Sequence, residues 1–444
     1  MIYHHLVAVR RKVTNTKAVL FIVICVFMFI PLGSYLHDVR TQFRSQNRKE
    51  MMNTWHTNAV EGFFGLHMGL TVSKLGGILF NREEIPNPNP NANRTFVVLV
   101  WKYWNWIKRR HVFNYGSRKK ESDVLEDCSV KNCVFSGNDS LIDTADAVLI
   151  HMQKGAIPTV KNRNRTQRWI FLNDESPTHA FSLASKKPTL ESLYDVFNWS
   201  MTYRSDADVP VPYGRVVPRR TPLFPEYKSL EDIAAVVPNW GRKKAGKIAA
   251  VLMSNCGAKA RNRFLKALRQ YVKVDVFGGC SDVEEFKHSC PGHFTADCDP
   301  VAEYLFYLVL ENSSCYQYLT EKAFYHAYSK GAIPIVFGPS LEDVEMLLPP
   351  DSYLYADEDT NIETLARDIN AIARNSELIL AMHMWRNHFK VVNEHGYFGT
   401  ESFHMCRVCE ALNYNDAKEK VYDKPLLDAF LDPARSCYDK KSNK

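Results

Sequence analysis

Residues 304–337 read YLFYLVLENSSCYQYLTEKAFYHAYSKGAIPIVF, and this succession of patterns leaves the chain little freedom of fold. Residues 304–310 are apolar and aromatic and too short for a buried helix, so they predict a strand. Thr320 predicts an N-cap, Leu319, Ala323, Phe324, Ala327 and Tyr328 recur at helical spacing, and Gly331 falls where a left-handed C-cap belongs. Residues 332–337 predict a second strand. Strand, helix and strand in this order form a crossover between parallel strands. Parallel sheets need helices on both faces, so the unit predicts a doubly wound α/β domain. Lys322 then stands in the first helical turn, where the helix dipole disfavours a cation and an anionic ligand would reverse the sign. An arbitrary Glu-Lys pair is more often solvated on a helix surface, so the pair needs further support.

The whole chain is long enough for two such domains, with 444 residues, 45% of them hydrophobic and 12% aromatic. The net charge of +7 is modest and shows no face-long basic patch, which excludes nucleic acid as a partner. Residues 1–17 carry Arg10, Arg11, Lys12 and Lys17 without an acid. Residues 18–36 follow, nearly free of polar groups and about the length that spans a bilayer. The basic flank predicts a cytosolic tail (1–17), a transmembrane signal-anchor (18–36) and a lumenal body. A cleaved signal peptide fits less well, because the apolar run is long and no small-x-small site follows closely. Sequons begin at Asn93, Asn138, Asn164, Asn198 and Asn312. Of 11 cysteines, Cys25 lies in the anchor and ten lie outside it. The close spacings predict local disulfides Cys128–Cys133 and Cys406–Cys409 in an oxidising compartment. Zinc at Cys406-x-x-Cys409 lacks a second such pair.

Residues 37–94 are polar, end in NPNPNPN and predict a stem. Strand-like segments at 95–100, 147–152 and 168–172 open an N-terminal domain, 95–240. GRKKAGK at 241–247 leads into a C-terminal domain, 241–410, with a tail at 411–444. In the second domain Arg261 and Lys322 each follow a strand at the start of a helix. Ligands of open parallel sheets bind outside the carboxyl ends of the strands, so both cations can enter one crevice, where they suit a pyrophosphate.

Three blocks then carry a resemblance. FYLVLENSSCYQYLTEKAFYHAYSKGAIPIVFGP resembles the donor-binding signature of the α1,3-fucosyltransferases, glycosyltransferase family ten. RWIFLNDESPTHAF through NWSMTYRSDADVPVPYG resembles that family's N-terminal segment, and LPPDSYLYADE its Pro-Pro-Asp-Ser stretch. The resemblance implies a GT-B enzyme, two Rossmann-like domains facing a cleft, held as a type II protein in the Golgi membrane. It would move L-fucose from GDP-β-L-fucose to a GlcNAc 3-hydroxyl with inversion, on a core or an antennal GlcNAc of a glycan acceptor. It places Glu175 as general base and Tyr213, Tyr307, Asn312, Tyr318, Glu321 and Lys322 at donor contacts. Arg261 is the match to the pyrophosphate arginine, with Arg263 as the alternative. Glu321 would take ribose hydroxyls and Lys322 phosphate.

Asp206-Ala207-Asp208 looks like a metal-binding Asp-x-Asp, but the resemblance reads it as structural. No cofactor is expected to be required, and any manganese effect would be stimulation. Asp174 should point to the opposite face from Glu175. A glycan on Asn312 would block the donor site, so that sequon is expected to stay unmodified. The reading from another class is a non-catalytic lumenal glycan-binding protein that keeps the fold.

Overall fold

The computed structural model describes residues 56–58, 60–63, 73–81, 94–113, 123–161, 163–164, 166–225, 229–290 and 297–438. The expected cytosolic tail, the anchor at 18–36 and Asn93 lie outside the described residues. Among those described, no helix is long and apolar enough to cross a membrane.

Two parallel sheets organise the chain. The first is built from β1 (Phe96–Val100), β2 (Cys133–Ser136), β3 (Ala147–His151), β4 (Arg168–Asn173), β5 (Trp199–Thr202) and β6 (Val209–Pro210), in the order β2-β1-β3-β4-β5-β6. Every neighbouring pair is parallel, with Val98 opposite Ala147 and Ile170 opposite Trp199. β3 and β4 are buried along their whole length, as their unbroken apolar runs require. Alternate residues serve opposite faces: Leu149, Ile170 and Leu172 enter one core, Val148, Ile150 and Phe171 the other. Helix α1 (Trp104–His111) follows β1 directly.

The second sheet is built from β8 (Ala249–Leu252), β9 (Val274–Phe277), β10 (Phe306–Leu310), β11 (Ile333–Phe337) and β12 (Leu354–Ala356). Its order is β12-β11-β10-β8-β9, again all parallel. Helices α2 (Lys259–Leu268) and α3 (Ile362–Ala373) cover one face through Phe264, Leu268, Leu365 and Ile369. The predicted crossover is present between β10 and β11. Its first turns are a π-helix, Lys322–Ala327, rather than the expected regular helix begun at Thr320. The Thr320 hydroxyl is turned instead to Glu311 and Lys322. Gly331 is left-handed as predicted, at φ 68°, and a Cβ there would lie 1.9 Å from the Pro238 carbonyl oxygen.

An antiparallel ribbon of β7 (Gly214–Pro218) and β13 (Phe389–Asn393) joins the two units, with Val216 opposite Val391. The chain then returns to the first sheet. α4 (His404–Tyr414) packs Met405 and Val408 onto one face, and α5 (Lys424–Leu431) packs Leu427 and Phe430 onto the other. The segment expected to finish the second domain and trail away as a tail thus belongs to the first unit's cores.

The disulfides correct the expected local pairs. Cys128 joins Cys406 and Cys133 joins Cys409, with Cα separations of 5.1 and 5.8 Å. Cys406 and Cys409 are three apart on α4, where Cβ atoms stand about 5–6 Å from each other, beyond disulfide reach. Each therefore bonds across to the segment around β2. Cys256–Cys280, Cys290–Cys298 and Cys315–Cys437 complete the pairing of all ten cysteines outside the expected anchor.

The expected stem also needs correction. A short helix, Lys74–Phe80, is capped by the Ser73 hydroxyl on Gly76 N–H at 3.0 Å and buries Leu75 and Phe80. Val60 and Phe63 enter the core around β10. A chain beginning at residue 93 is therefore expected to unfold at markedly lower temperature than one beginning at residue 50. Each large buried side chain lost costs about 2–5 kcal/mol. Equal unfolding midpoints would show that the segment adds nothing.

Candidate active site

In the second sheet the strand order reverses between β8 and β10, which opens a crevice at their carboxyl ends. α2 starts just past β8 and turns Arg261 into that crevice. The guanidinium is buried and donates to the carbonyls of Asn255 and, at 3.4 Å, Leu310, so it bridges the ends of both strands. Its Nε has no partner among the described residues. Arg263, the alternative, faces outward to Glu358.

Glu311 follows β10 directly, and the sequence reading did not single it out. Its carboxylate is buried and accepts from Thr320 N–H at 2.9 Å, the Thr320 hydroxyl at 2.9 Å and Lys322 Nζ at 2.9 Å. Glu321 lies 3.3 Å from the same ammonium. Burial works against the charge of Lys322, but Glu311 and Glu321 outweigh it and raise its pKa. Lys322 is thus an ammonium held between two carboxylates, not a solvated surface lysine. A carboxylate directly following an apolar strand was the available signal for Glu311.

The opposite wall comes from the first sheet. Glu175 lies two residues past β4, and its carboxylate accepts a hydrogen bond of 2.9 Å from the Tyr318 hydroxyl of the second unit. Ser176 and Ser313 meet beside it at 2.9 Å. Burial and the neighbouring Asp174 raise the pKa of Glu175, while Tyr318 and Lys322 pull it back. Asn312 borders this junction, and its side-chain oxygen is buried without a partner among the described residues.

Of the expected donor contacts, Tyr213, Tyr307 and Tyr318 are all buried. Tyr307 is fully buried, and its hydroxyl accepts the Leu252 N–H at 3.1 Å. Tyr213 is buried as well and donates to the Asp174 carbonyl at 2.8 Å, so it supports the base segment from behind. Period-2 alternation in β10 sends Tyr307 into the core away from the strand's end.

Asp174 points away from Glu175, as expected, into a buried cluster that the sequence reading missed. Arg110 Nη1 lies 3.1 Å and His395 Nε2 3.2 Å from its Oδ2. Burial would raise the Asp174 pKa, but Arg110, His395 and His151 hold it well below the usual carboxylate range. His111, Asp174 and His404 each bring a ligand-type atom within 4.8 Å of the others. Arg110 takes one oxygen of that carboxylate, Oδ2, and the two imidazoles are stacked 3.6 Å apart. Ser402 Oγ ties both Nδ1 atoms, at 2.7 and 3.1 Å.

The Asp-x-Asp pair is used internally. Asp206 takes Arg204 through both oxygens, at 2.9 and 2.6 Å. Asp208 takes Lys420 at 2.8 Å, Tyr422 at 2.7 Å and Ser200 N–H at 2.9 Å. Among the sequons, Asn138 and Asn164 are exposed, but Asn198 is buried, with its amide nitrogen donating to the Lys420 carbonyl at 2.8 Å. A glycan on Asn198 does not fit the folded chain, which corrects that expectation.

Known proteins place this arrangement. Residues 93–214 match the domain family "Fucosyltransferase, N-terminal", and residues 241–425 match "Glycosyltransferase family 10 (fucosyltransferase) C-term". The chain is 29% identical over 342 residues to alpha-(1,3)-fucosyltransferase 4 of Bos taurus, covering 68% of this chain and 78% of that protein. It is 28% identical over 363 residues to alpha-(1,3)-fucosyltransferase 7 of Rattus norvegicus, covering 80% and 87%. It is 29% identical over 358 residues to glycoprotein 3-alpha-L-fucosyltransferase A of Drosophila melanogaster, covering 79% and 62%. Among solved structures, an alpha1,3-fucosyltransferase with GDP-fucose aligns over 80% of this chain and 98% of its own, at 15% identity and a TM-score of 0.43. The two family matches together span well over half of the sequence, and the chain belongs to glycosyltransferase family 10, the fucosyltransferases, and is a glycosyltransferase.

Proposed function

We propose that this enzyme transfers L-fucose from GDP-β-L-fucose to the 3-hydroxyl of a GlcNAc on a glycoprotein or oligosaccharide glycan, by single displacement with inversion. The observation that carries the reading is the juxtaposition of a raised-pKa carboxylate, Glu175, with a cationic crevice built by Arg261 and Lys322, across a GT-B-type cleft bridged by Tyr318. Glu175 takes the proton of the acceptor hydroxyl as it attacks the anomeric carbon, a contribution of about 10²–10⁴-fold. The bond to the β-phosphate breaks on the opposite side. Arg261 and Lys322 stabilise the charge that collects there, and they do so without reorganising, because their partners already hold them. Glu321, beside Lys322, is placed to accept ribose hydroxyls. The fold is carried as a type II protein of the Golgi membrane, with this cleft lumenal and residues 18–36 as the anchor.

The test is incubation of the purified chain with GDP-fucose and a panel of core and antennal GlcNAc acceptors, with linkage analysis of the product. Substantial turnover is expected to survive EDTA, because protein cations rather than a metal meet the pyrophosphate. Complete, manganese-reversible inactivation would overturn that assignment. Binding of acceptors without any turnover would support the non-catalytic reading instead.

A further inference from the structure

The cluster around Asp174 has no part in the reaction as described, yet it sits directly behind the base. Asp174 is buried, and Arg110 from α1 and His395 from the loop after β13 close on one of its oxygens, at 3.1 and 3.2 Å. The other oxygen, Oδ1, accepts no hydrogen bond among the described residues. The backbone on either side is held too. Tyr213 donates to the Asp174 carbonyl at 2.8 Å, and the Asn173 amide donates to the Glu175 carbonyl at 2.9 Å. His395 in turn stacks on the Tyr213 ring at 3.9 Å. The clamp therefore grips residues 173–175 from three separate elements.

We propose that Asp174 is a positioning residue for the base: clamped by Arg110 and His395, it fixes the Glu175 carboxylate at the cleft and holds a buried negative charge beside it. The inference rests on the reading of Glu175 as the base. A buried like charge one residue away makes Glu175 hold a proton more tightly. A carboxylate that holds a proton more tightly removes the acceptor's proton more effectively.

The groups around the pair act in known directions. On Asp174, Arg110 and the His395 ring N–H partly offset its charge, while burial lowers the pKa of His395 as it does those of His111, His151 and His404. On Glu175, Tyr318 and Lys322 oppose Asp174, while Glu321 adds to it. Tyr397, half-buried over Arg110 at 4.5 Å, stays protonated because burial raises its pKa.

The pH dependence of kcat/KM for the acceptor tests this. Glu175 must be ionised to act, so the rate falls as pH drops through its pKa. Asp174→Asn removes the neighbouring charge. The acid limb is then expected to move to lower pH by on the order of half a unit to one unit. The plateau should fall roughly three- to tenfold. GDP affinity, which depends on the other unit, should stay within about twofold. His395→Phe keeps the stack on Tyr213 but removes a donor that offsets Asp174, so it is expected to move the limb the other way. This second variant carries the test if Asp174→Asn does not fold. A merely structural role would lower the unfolding temperature and leave both limbs in place, and that result overturns the proposal. The two failures are separable. Full activity in Glu175→Gln sinks the base itself, whereas a dead Glu175→Gln with an unmoved limb in a folded Asp174→Asn or His395→Phe sinks only the role of Asp174.

Discussion

Glu175→Gln is expected to lose turnover by about 10²-fold or more while its folding and GDP affinity persist. The amide is nearly isosteric, and the Tyr318 hydroxyl that donates at 2.9 Å can still donate to the amide oxygen. The nucleotide crevice is built from Arg261, Lys322 and the ends of β8 and β10, and the change leaves the hydrogen bonds of Arg261 and the ion pairs of Lys322 in place. Only the capacity to accept a proton is lost. The thermal midpoint at neutral pH should rise slightly. The folded-state pKa of Glu175 is raised, mainly by burial, so ionising it opposes folding as pH rises through that value. A glutamine carries no such cost. Asp174→Asn should retain far more of its plateau rate. If instead Asp174→Asn is dead and Glu175→Gln is near wild type, the base is the other carboxylate.

Lys322→Ala is expected to weaken GDP binding and slow turnover together, because the ammonium meets a charge present in the ground state and larger in the transition state. It also strips Glu311 of its ammonium partner. A buried carboxylate left that way destabilises a fold by about 3–5 kcal/mol. Loss of function is then mixed with loss of structure, and the double variant Lys322→Met with Glu311→Gln separates the two. It replaces the buried ion pair with neutral groups of similar length, and the new amide oxygen can still accept from Thr320 N–H. The double variant should regain thermal stability but not GDP affinity, read by calorimetric titration with GDP. Recovery of both would make Lys322 a structural partner of Glu311 and nothing more. Normal GDP affinity and rate in Lys322→Ala would lead to the same conclusion.

The local patterns of the sequence carried much of this. The crossover between β10 and β11, the left-handed Gly331 and the strand before Glu175 are all settled by residues within a turn or two of each other. Side-chain period and φ preference act over that range. The opposite faces of Asp174 and Glu175 followed from the same alternation. The cations at the crevice were legible because each stands at the start of the helix that follows a strand, and parallel strands present their carboxyl ends together.

What only the tertiary structure decided depends on contacts between distant parts of the chain. Cys128 and Cys406 are 278 residues apart, and spacing along the sequence favoured the nearer partners that helix geometry forbids. Asp174 meets His395 across 221 residues, so its clamp has no local signature. Leu75 and Phe80 read as polar-stem residues until a core formed to receive them. Tyr307 and Asn198 carry the right motif but are buried with their polar groups already bonded. The sequence by itself determined the parallel α/β architecture, the family and the residue types of the cleft, because periodicity and motif are local. Folding decided which of those residues face the cleft, which are tied to one another and which cysteines pair. Burial and partner choice are properties of the packed chain, where a side chain's hydrogen bonds and charge are set by whatever the fold brings within about 4 Å of it.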